Sequence, residues 1–253
     1  MHAPALSDAR IALFGGTSGI GLAAARAFAE IGAQVALVGR NAKRGQAAAQ
    51  AIANARFYAA DCRDPAAVAA TCEAIVADLG GIDVAFISLG GNRLPELLHR
   101  QSLDDIAATI AEDLTPVLLS ARAVIEPMRA QGGGAVLLVA SDAAKIATPG
   151  ETVIGANMAA IVQFARGLAI EGRRDGIRAN VLTPSLVEGT PLTERLMVPG
   201  RFSAKLFTKA RAMAALGPTT PEDLAALAVF LASPAAAKIT GQAISVNGGI
   251  SAA

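Results

Sequence analysis

The chain has 253 residues, 53% of them apolar and 17% charged, and its 22 Lys and Arg against 21 Asp and Glu give a formal net charge of +1. One large α/β domain fits that length without a second, and so even a balance excludes the basic field of a nucleic-acid binder and the acidic run of a disordered tail. Partners are expected to be small molecules and further copies of the chain, in the cytoplasm: no apolar run approaches the roughly 20 residues of a membrane helix, and residues 1–10 hold no signal-peptide core.

Along the chain, short apolar runs alternate with helix-patterned segments. The first run, 11–14, is followed by Gly15-Gly16-Thr17-Ser18-Gly19-Ile20-Gly21 and an alanine-rich helix over 22–31. In that strand, tight turn and helix, the glycines allow positive φ and close approach of the main chain, while the helix N-terminus presents N–H groups to an anion such as a pyrophosphate. A second strand, 34–38, ends in Gly39-Arg40, and a third, 56–59, runs toward Asp61 and Cys62. Cys62 and Cys72 read as buried free thiols, and His2 and His99 are too few for a metal site, so no metal is expected. A strand over 84–89 leads to Gly90, helical pattern fills 103–130, and Gly132-Gly133-Gly134 stops it before a strand over 135–139 that points at Ser141. A helix over 151–173 precedes strand 178–182. The proline- and glycine-rich stretch 183–218 encloses a helix-like piece over 202–214 and reads as a lid around 186–216, and the last strand is 243–246. Such alternation predicts a single-domain, doubly wound Rossmann-type parallel sheet over 1–253, helices on both faces and ligands at the carboxyl ends of the strands.

These motifs, in this order, resemble those of the classical short-chain dehydrogenase/reductase family over nearly the whole chain. The run 14–21 is similar to its TGxxxGIG loop without the leading threonine. Asp61 stands where the family's aspartate meets the adenine. Ile177 to Val181 with Pro184 resembles its IRVN…PG segment, Thr190-Pro191-Leu192 its nicotinamide-side threonine, and Ile239 to Gln242 with Asn247-Gly248-Gly249 its C-terminal signature. The resemblance implies a cofactor-binding set of Gly15, Thr17, Ser18, Gly19, Ile20, Gly21, Arg40, Asp61, Cys62, Gly90, Pro184 and Thr190. Gly39 has no carboxylate for the ribose hydroxyls and Arg40 has a guanidinium suited to a 2′-phosphate, so NADP is expected over NAD.

The catalytic positions depart from the family's pattern. Counting from Ser141, the tyrosine place holds Ile154 and the lysine place Met158, Asp113 replaces the upstream asparagine, and Ile87-Ser88-Leu89-Gly90 replaces NNAG. Tyr58, the one tyrosine, lies toward the adenine end. The catalytic candidates are then Ser141, as an oxyanion donor or merely a turn cap, and Asp113, as a base or merely a paired carboxylate. Lys145 is the nearest cation in sequence to the vacant lysine place, and Glu151, Arg93, His99 and Asn157 are within reach of the cleft but read first as surface or structural residues. Two readings follow: an NADP-dependent oxidoreductase with a non-standard site, suited to enoyl or activated carbonyl reduction, or a non-catalytic nucleotide sensor or structural subunit of a hetero-oligomer. The resemblance implies a homo-oligomer, tetramer or dimer, built on helices 103–130 and 151–173 with contacts at the C-terminal strand, and the high mean hydropathy agrees.

Overall fold

The computed structural model describes residues 6–90 and 93–252; His2 and the first five residues of the signal-peptide reading lie outside them. Seven strands form one parallel sheet: β1 (Arg10–Phe14), β2 (Gln34–Gly39), β3 (Ala55–Ala59), β4 (Val84–Ile87), β5 (Gly134–Val139), β6 (Ile177–Pro184) and β7 (Ala243–Val246). Their order across the sheet is β3-β2-β1-β4-β5-β6-β7. Because β1 pairs with both β2 and β4, the winding reverses direction beside it, and the crevice that this leaves at the strands' carboxyl ends is where open α/β sheets bind ligands.

The helices are α1 (Gly19–Glu30), α2 (Ala42–Ala51), α3 (Pro65–Leu79), α4 (Leu103–Asp113), α5 (Thr115–Ala130), α6 (Thr152–Gly172), α7 (Pro191–Leu196), α8 (Phe202–Met213) and α9 (Pro221–Ala232). Alternate strand residues feed two cores. Ala12, Phe14, Val38, Ile87, Val136 and Leu138 pack under α3, α5 and α6. Ile11, Leu13, Leu37, Phe86, Leu137 and Leu182 pack under α1 and α9. With both faces covered the strands read as continuous apolar runs, each fully buried Leu, Ile or Phe contributing about 1.5–3 kcal/mol. A third, small cluster of Leu186, Leu196 and Phe207 lies beneath α7 and α8.

Three expectations need correction. The strand expected over 84–89 ends at Ile87, because Gly90 takes φ 104 and leads the chain off the sheet. The helical stretch 103–130 is two helices joined at Leu114, whose φ −95 and ψ −52 serve as the last cap of one and the first of the other, with Pro116 in the second helix's first turn. The helical segment Thr152–Asp175 is long and apolar enough to cross a membrane by length and composition, contrary to the reading of the sequence. It packs Met158, Ile161, Val162, Ala165, Leu168 and Ala169 into the core beneath the sheet.

Candidate active site

A cavity of about 790 Å³ opens at the carboxyl edge of the sheet, lined by residues that leave the strands there: Gly15 after β1, Arg40 after β2, Asp61 and Cys62 after β3, Ser88 and Gly90 after β4, Ser141 after β5 and Ser185 after β6. Its walls also carry Thr17, Ser18, Gly19, Ile20, Asp113, Pro184 and Thr190. The sequence-derived candidates therefore converge on one space, apart from Gly21, which is buried behind the loop. A Cβ on Gly21 would lie 2.3 Å from the Gly15 carbonyl oxygen, and one on Gly15, at φ 86, would lie 2.1 Å from that of Ser88. Only glycine lets the loop close this tightly onto the start of α1. Ser18 occupies the N-cap of α1 in extended conformation yet makes no side-chain cap bond, so its side chain leaves the first-turn N–H groups of α1 uncapped at the cavity wall. A cradle this narrow, with uncapped donors, fits a dinucleotide's pyrophosphate.

At the far end of the β2 side, Arg40 is exposed and Arg44, on α2, reaches back to donate from Nε to Thr17 Oγ1 at 3.3 Å. Both arginines line the cavity, and Arg44 escaped the sequence reading, although its place one helical turn past Arg40 was a usable signal. A Cβ on Gly39 would come within 3.0 Å of the Thr17 side chain, so the loop itself keeps this position small. Asp61 accepts from Arg63 Nε at 3.0 Å and Nη2 at 2.5 Å, and these bonds hold its carboxyl down to about 2. The Arg63 backbone N–H also donates to Oδ1, at 3.1 Å, and Nε reaches Oδ2 at 3.1 Å, so both carboxylate oxygens already accept from Arg63 at the cavity wall. Burial pushes the Cys62 thiol up, consistent with an inert side chain.

The other end is the candidate catalytic compartment. Ser141 Oγ accepts from Ala143 N at 3.2 Å, capping the 3-10 turn Asp142–Ala144. Its hydroxyl proton still has a cavity to point into, so the cap and donor readings are compatible. Asp113 is 2% exposed and packs against Gly90, whose Cβ would lie 3.2 Å from Asp113 Oδ1. Ile154 and Met158 line the wall. Lys145 does not: Nζ donates to Ser245 Oγ and lies 3.8 Å from Asp142 Oδ1, in a cluster on the far side of the turn. Tyr58, on β3, gives its hydroxyl to Asp78 at 2.7 Å, and burial, followed by that bond, pushes its pKa up to about 12. Asn157 Nδ2 donates to the Thr109 carbonyl at 3.1 Å, tying α6 to α4, and His99 is exposed; both agree with a structural or surface reading.

Two residues depart from it. Arg93 lines the cavity, paired with Asp105 at 2.8 Å and Glu112 at 3.5 Å. Glu151, at the N-cap of α6, also lines it, and burial pushes its carboxyl up to about 7, with Thr148 pulling weakly the other way. The sequence offered both as residues within reach of the cleft but ranked a surface or structural role ahead, since nothing local announces their place on the cavity wall.

Among known proteins, a family model described as enoyl-(acyl carrier protein) reductase matches residues 15–251. D-threitol dehydrogenase of Mycolicibacterium smegmatis is 36% identical, over 96% of this chain and 93% of that protein. A 3-oxoacyl-acyl-carrier-protein reductase of Chlamydia muridarum is 33% identical, over 93% of this chain and 94% of that protein. Among solved structures, a short-chain type dehydrogenase/reductase from Mycobacterium ulcerans superposes with a TM-score of 0.89 at 26% identity, covering 98% of this chain and 91% of that one. A 3-ketoacyl-(acyl-carrier-protein) reductase from Brucella melitensis, complexed with NADH, gives a TM-score of 0.86 at 30% identity, covering 96% and 99%. Sheet order, glycine cradle and these matches agree: the chain belongs to the short-chain dehydrogenase/reductase family.

Proposed function

We propose that the protein is an NADP(H)-dependent oxidoreductase that exchanges a hydride with a small carbonyl or enoyl substrate through a site that departs from its family's usual one. One observation carries this reading: a single cavity joins a glycine cradle and uncapped helix start at one end to Ser141 at the other. The relatives named for dehydrogenation or ketoacyl reduction, and the NADH complex of one, support an oxidoreductase over a sensor or scaffold.

In this reading Gly15 to Gly21 and the first turn of α1 hold the pyrophosphate, Asp61 and Cys62 flank the adenine, and Gly90, Pro184 and Thr190 flank the nicotinamide half. Arg40, with Arg44 beside it, clamps the 2′-phosphate through charge-assisted bonds worth roughly 1.5–3 kcal/mol. When bound, the reduced nicotinamide supplies a hydride. Ser141 donates its hydroxyl proton in a hydrogen bond to the substrate oxygen as charge builds there. Ile154 and Met158 stand in the family's tyrosine and lysine places, and neither side chain carries a titratable proton. Loss of a positioned general acid costs about 10²–10⁴ in rate, which favours substrates whose carbonyl is activated or conjugated. The segment Leu186–Leu216 is the substrate lid, with α7, α8 and the Leu196–Phe207 cluster as its body. The protein works in the cytoplasm as a homo-oligomer, tetramer or dimer, its two cysteines free.

The test is fluorescence titration with NADPH and NADH, followed by NADPH oxidation across a panel of ketones and enoyl thioesters. At least about tenfold tighter NADPH binding, with turnover on the activated members of the panel, is expected. Tight binding without turnover on any member would replace this reading with the sensor or scaffold.

A further inference from the structure

We propose that Glu151 is the acid–base group of this site, its carboxyl giving the proton to the substrate oxygen during reduction and taking it back in the reverse direction. This rests on the oxidoreductase reading above. Glu151 is the N-cap of α6, Ile154 and Met158 lie i, i+4 within that helix, and all three line the same cavity. Glu151 therefore borders the same compartment as the two apolar side chains, neither of which can give a proton.

The position of Glu151 is fixed from three sides. Glu96 N donates to the Gly150 carbonyl at 2.9 Å, holding the loop before α4 against the helix start. Phe202 of α8 packs on Gly150 so closely that a Cβ there would meet its ring at 2.3 Å. The first turn of α6 lies on the turn that follows Ser141, where a Cβ on Gly155 would be 2.8 Å from the Ala143 carbonyl oxygen. One rigid corner thus carries both Ser141 and Glu151.

The charged groups facing this compartment from neighbouring elements are Arg93 in the loop before α4, Glu112 and Asp113 on α4, and Arg195 on α7, while α8 presents Phe207. Arg93 is engaged by Asp105 and Glu112, and among the described residues no salt bridge involves Glu151. Burial without a salt-bridged cation disfavours the carboxylate, which is why its pKa rises to about 7 and a protonated fraction persists at neutral pH.

The step balances as follows. A hydride from the reduced nicotinamide forms a C–H bond at the carbonyl carbon, or at the β-carbon of a conjugated enoyl group. In either case the displaced π pair ends on the same carbonyl oxygen, as alkoxide or enolate. The Glu151 O–H bond breaks and its proton bonds to that oxygen, giving the alcohol or, from an enoyl group, an enol that takes a solvent proton at its α-carbon as its O–H proton returns to solvent; the carboxylate left behind takes one proton from solvent.

The experiment compares the wild-type chain with Glu151→Gln, which keeps shape and hydrogen bonding, and with Glu151→Ala in case the first folds poorly; thermal melts report folding. Turnover of the panel is expected to fall about 100-fold or more in Glu151→Gln. Wild-type kcat/KM for reduction is expected to decline above about pH 7, and this limb should be absent from the variant, while NADPH affinity stays within about twofold. A readout independent of turnover is proton release when oxidised NADP binds near neutral pH, measured in a weakly buffered indicator solution. The positive nicotinamide ring favours the carboxylate, so the wild type releases more protons than Glu151→Gln. Wild-type turnover that Glu151→Gln leaves unchanged in rate and pH profile overturns the proposal and leaves the oxidoreductase reading standing. A wild-type chain that binds NADPH and turns over nothing overturns that reading, and the proton step with it.

Discussion

Single side chains decide the cofactor and the pH response. Arg40 and Arg44 border the cavity just past Gly39, where an added Cβ would already come within 3.0 Å of the Thr17 side chain. Replacing Arg40 by Ala is expected to weaken NADPH binding about tenfold to a hundredfold and NADH binding by less than about threefold; equal losses for both would place the guanidinium outside the phosphate site. Glu151 leaves a signature in stability as well. Its folded-state pKa, about 7, lies above the ordinary 4.5, so the folded protein binds the extra proton between those values. The folded state is therefore favoured below the lower value and loses that advantage as pH rises through the upper one. Glu151→Gln removes the cost of a buried carboxylate, and in urea melts of the apo protein it should match the wild type near pH 4 and exceed it by about 1–3 kcal/mol at pH 8. A constant difference across that range would show that the carboxyl is solvated.

At the scale of elements, the short turn between β5 and α6 is held by the C-terminal end of the chain. Asp142, 6% exposed, accepts from Asn247 Nδ2, from Ser251 Oγ at 2.8 Å and from Ser245 Oγ at 3.3 Å, with Lys145 beside it. The residues just past β7 thus anchor the turn whose first residue is Ser141. Asp142→Ala strands these donors and the Lys145 charge, and a loss of about 3 kcal/mol or more is expected in denaturant unfolding; a variant as stable as the wild type would mean that water replaces the carboxylate. None of this was legible in the sequence, because the partners are more than a hundred residues apart and nothing in either segment announces the other. The same holds for Glu151, which lines the cavity beside the point where Gly150 meets Phe202 of α8 and the loop ending at Glu96. What was legible was local. Strands buried on both faces read as unbroken apolar runs, and the glycine run shows its backbone demands at Gly15, Gly19 and Gly21 directly in composition. The junction at Leu114 was not, since two consecutive helices share one continuous period.

For the whole molecule, the sheet is covered on both faces, yet the outer helix surfaces retain apolar side chains. Leu103 and Ile110 of α4 are 84% and 44% exposed, Ile170 of α6 is 61% exposed and Phe230 of α9 is 43% exposed. Scattered apolar residues are ordinary on any surface. Leu103, Ile110 and Ile170 fall on helices within 103–130 and 151–173, the segments that family resemblance implies for subunit contact, while Leu192 of α7, Met213 of α8 and Phe230 of α9 lie elsewhere. Ile170 also sits on the face of α6 opposite the core residues Ala165, Leu168 and Ala169, so a charge there leaves the monomer's packing untouched while costing desolvation in any interface that covers it. Static light scattering of the wild type at micromolar concentration is expected to give a multiple of the chain mass, and Ile170→Glu to shift the distribution toward smaller species with an unchanged circular dichroism spectrum. A monodisperse wild-type monomer would refute the oligomer, and an oligomer indifferent to Ile170→Glu would move the contact to another face. Because the corner bearing Ser141 and Glu151 is closed by α4, α6 and α8 of one chain, dissociation by Ile170→Glu should leave NADPH affinity within about threefold of the wild type, which separates assembly from the site itself.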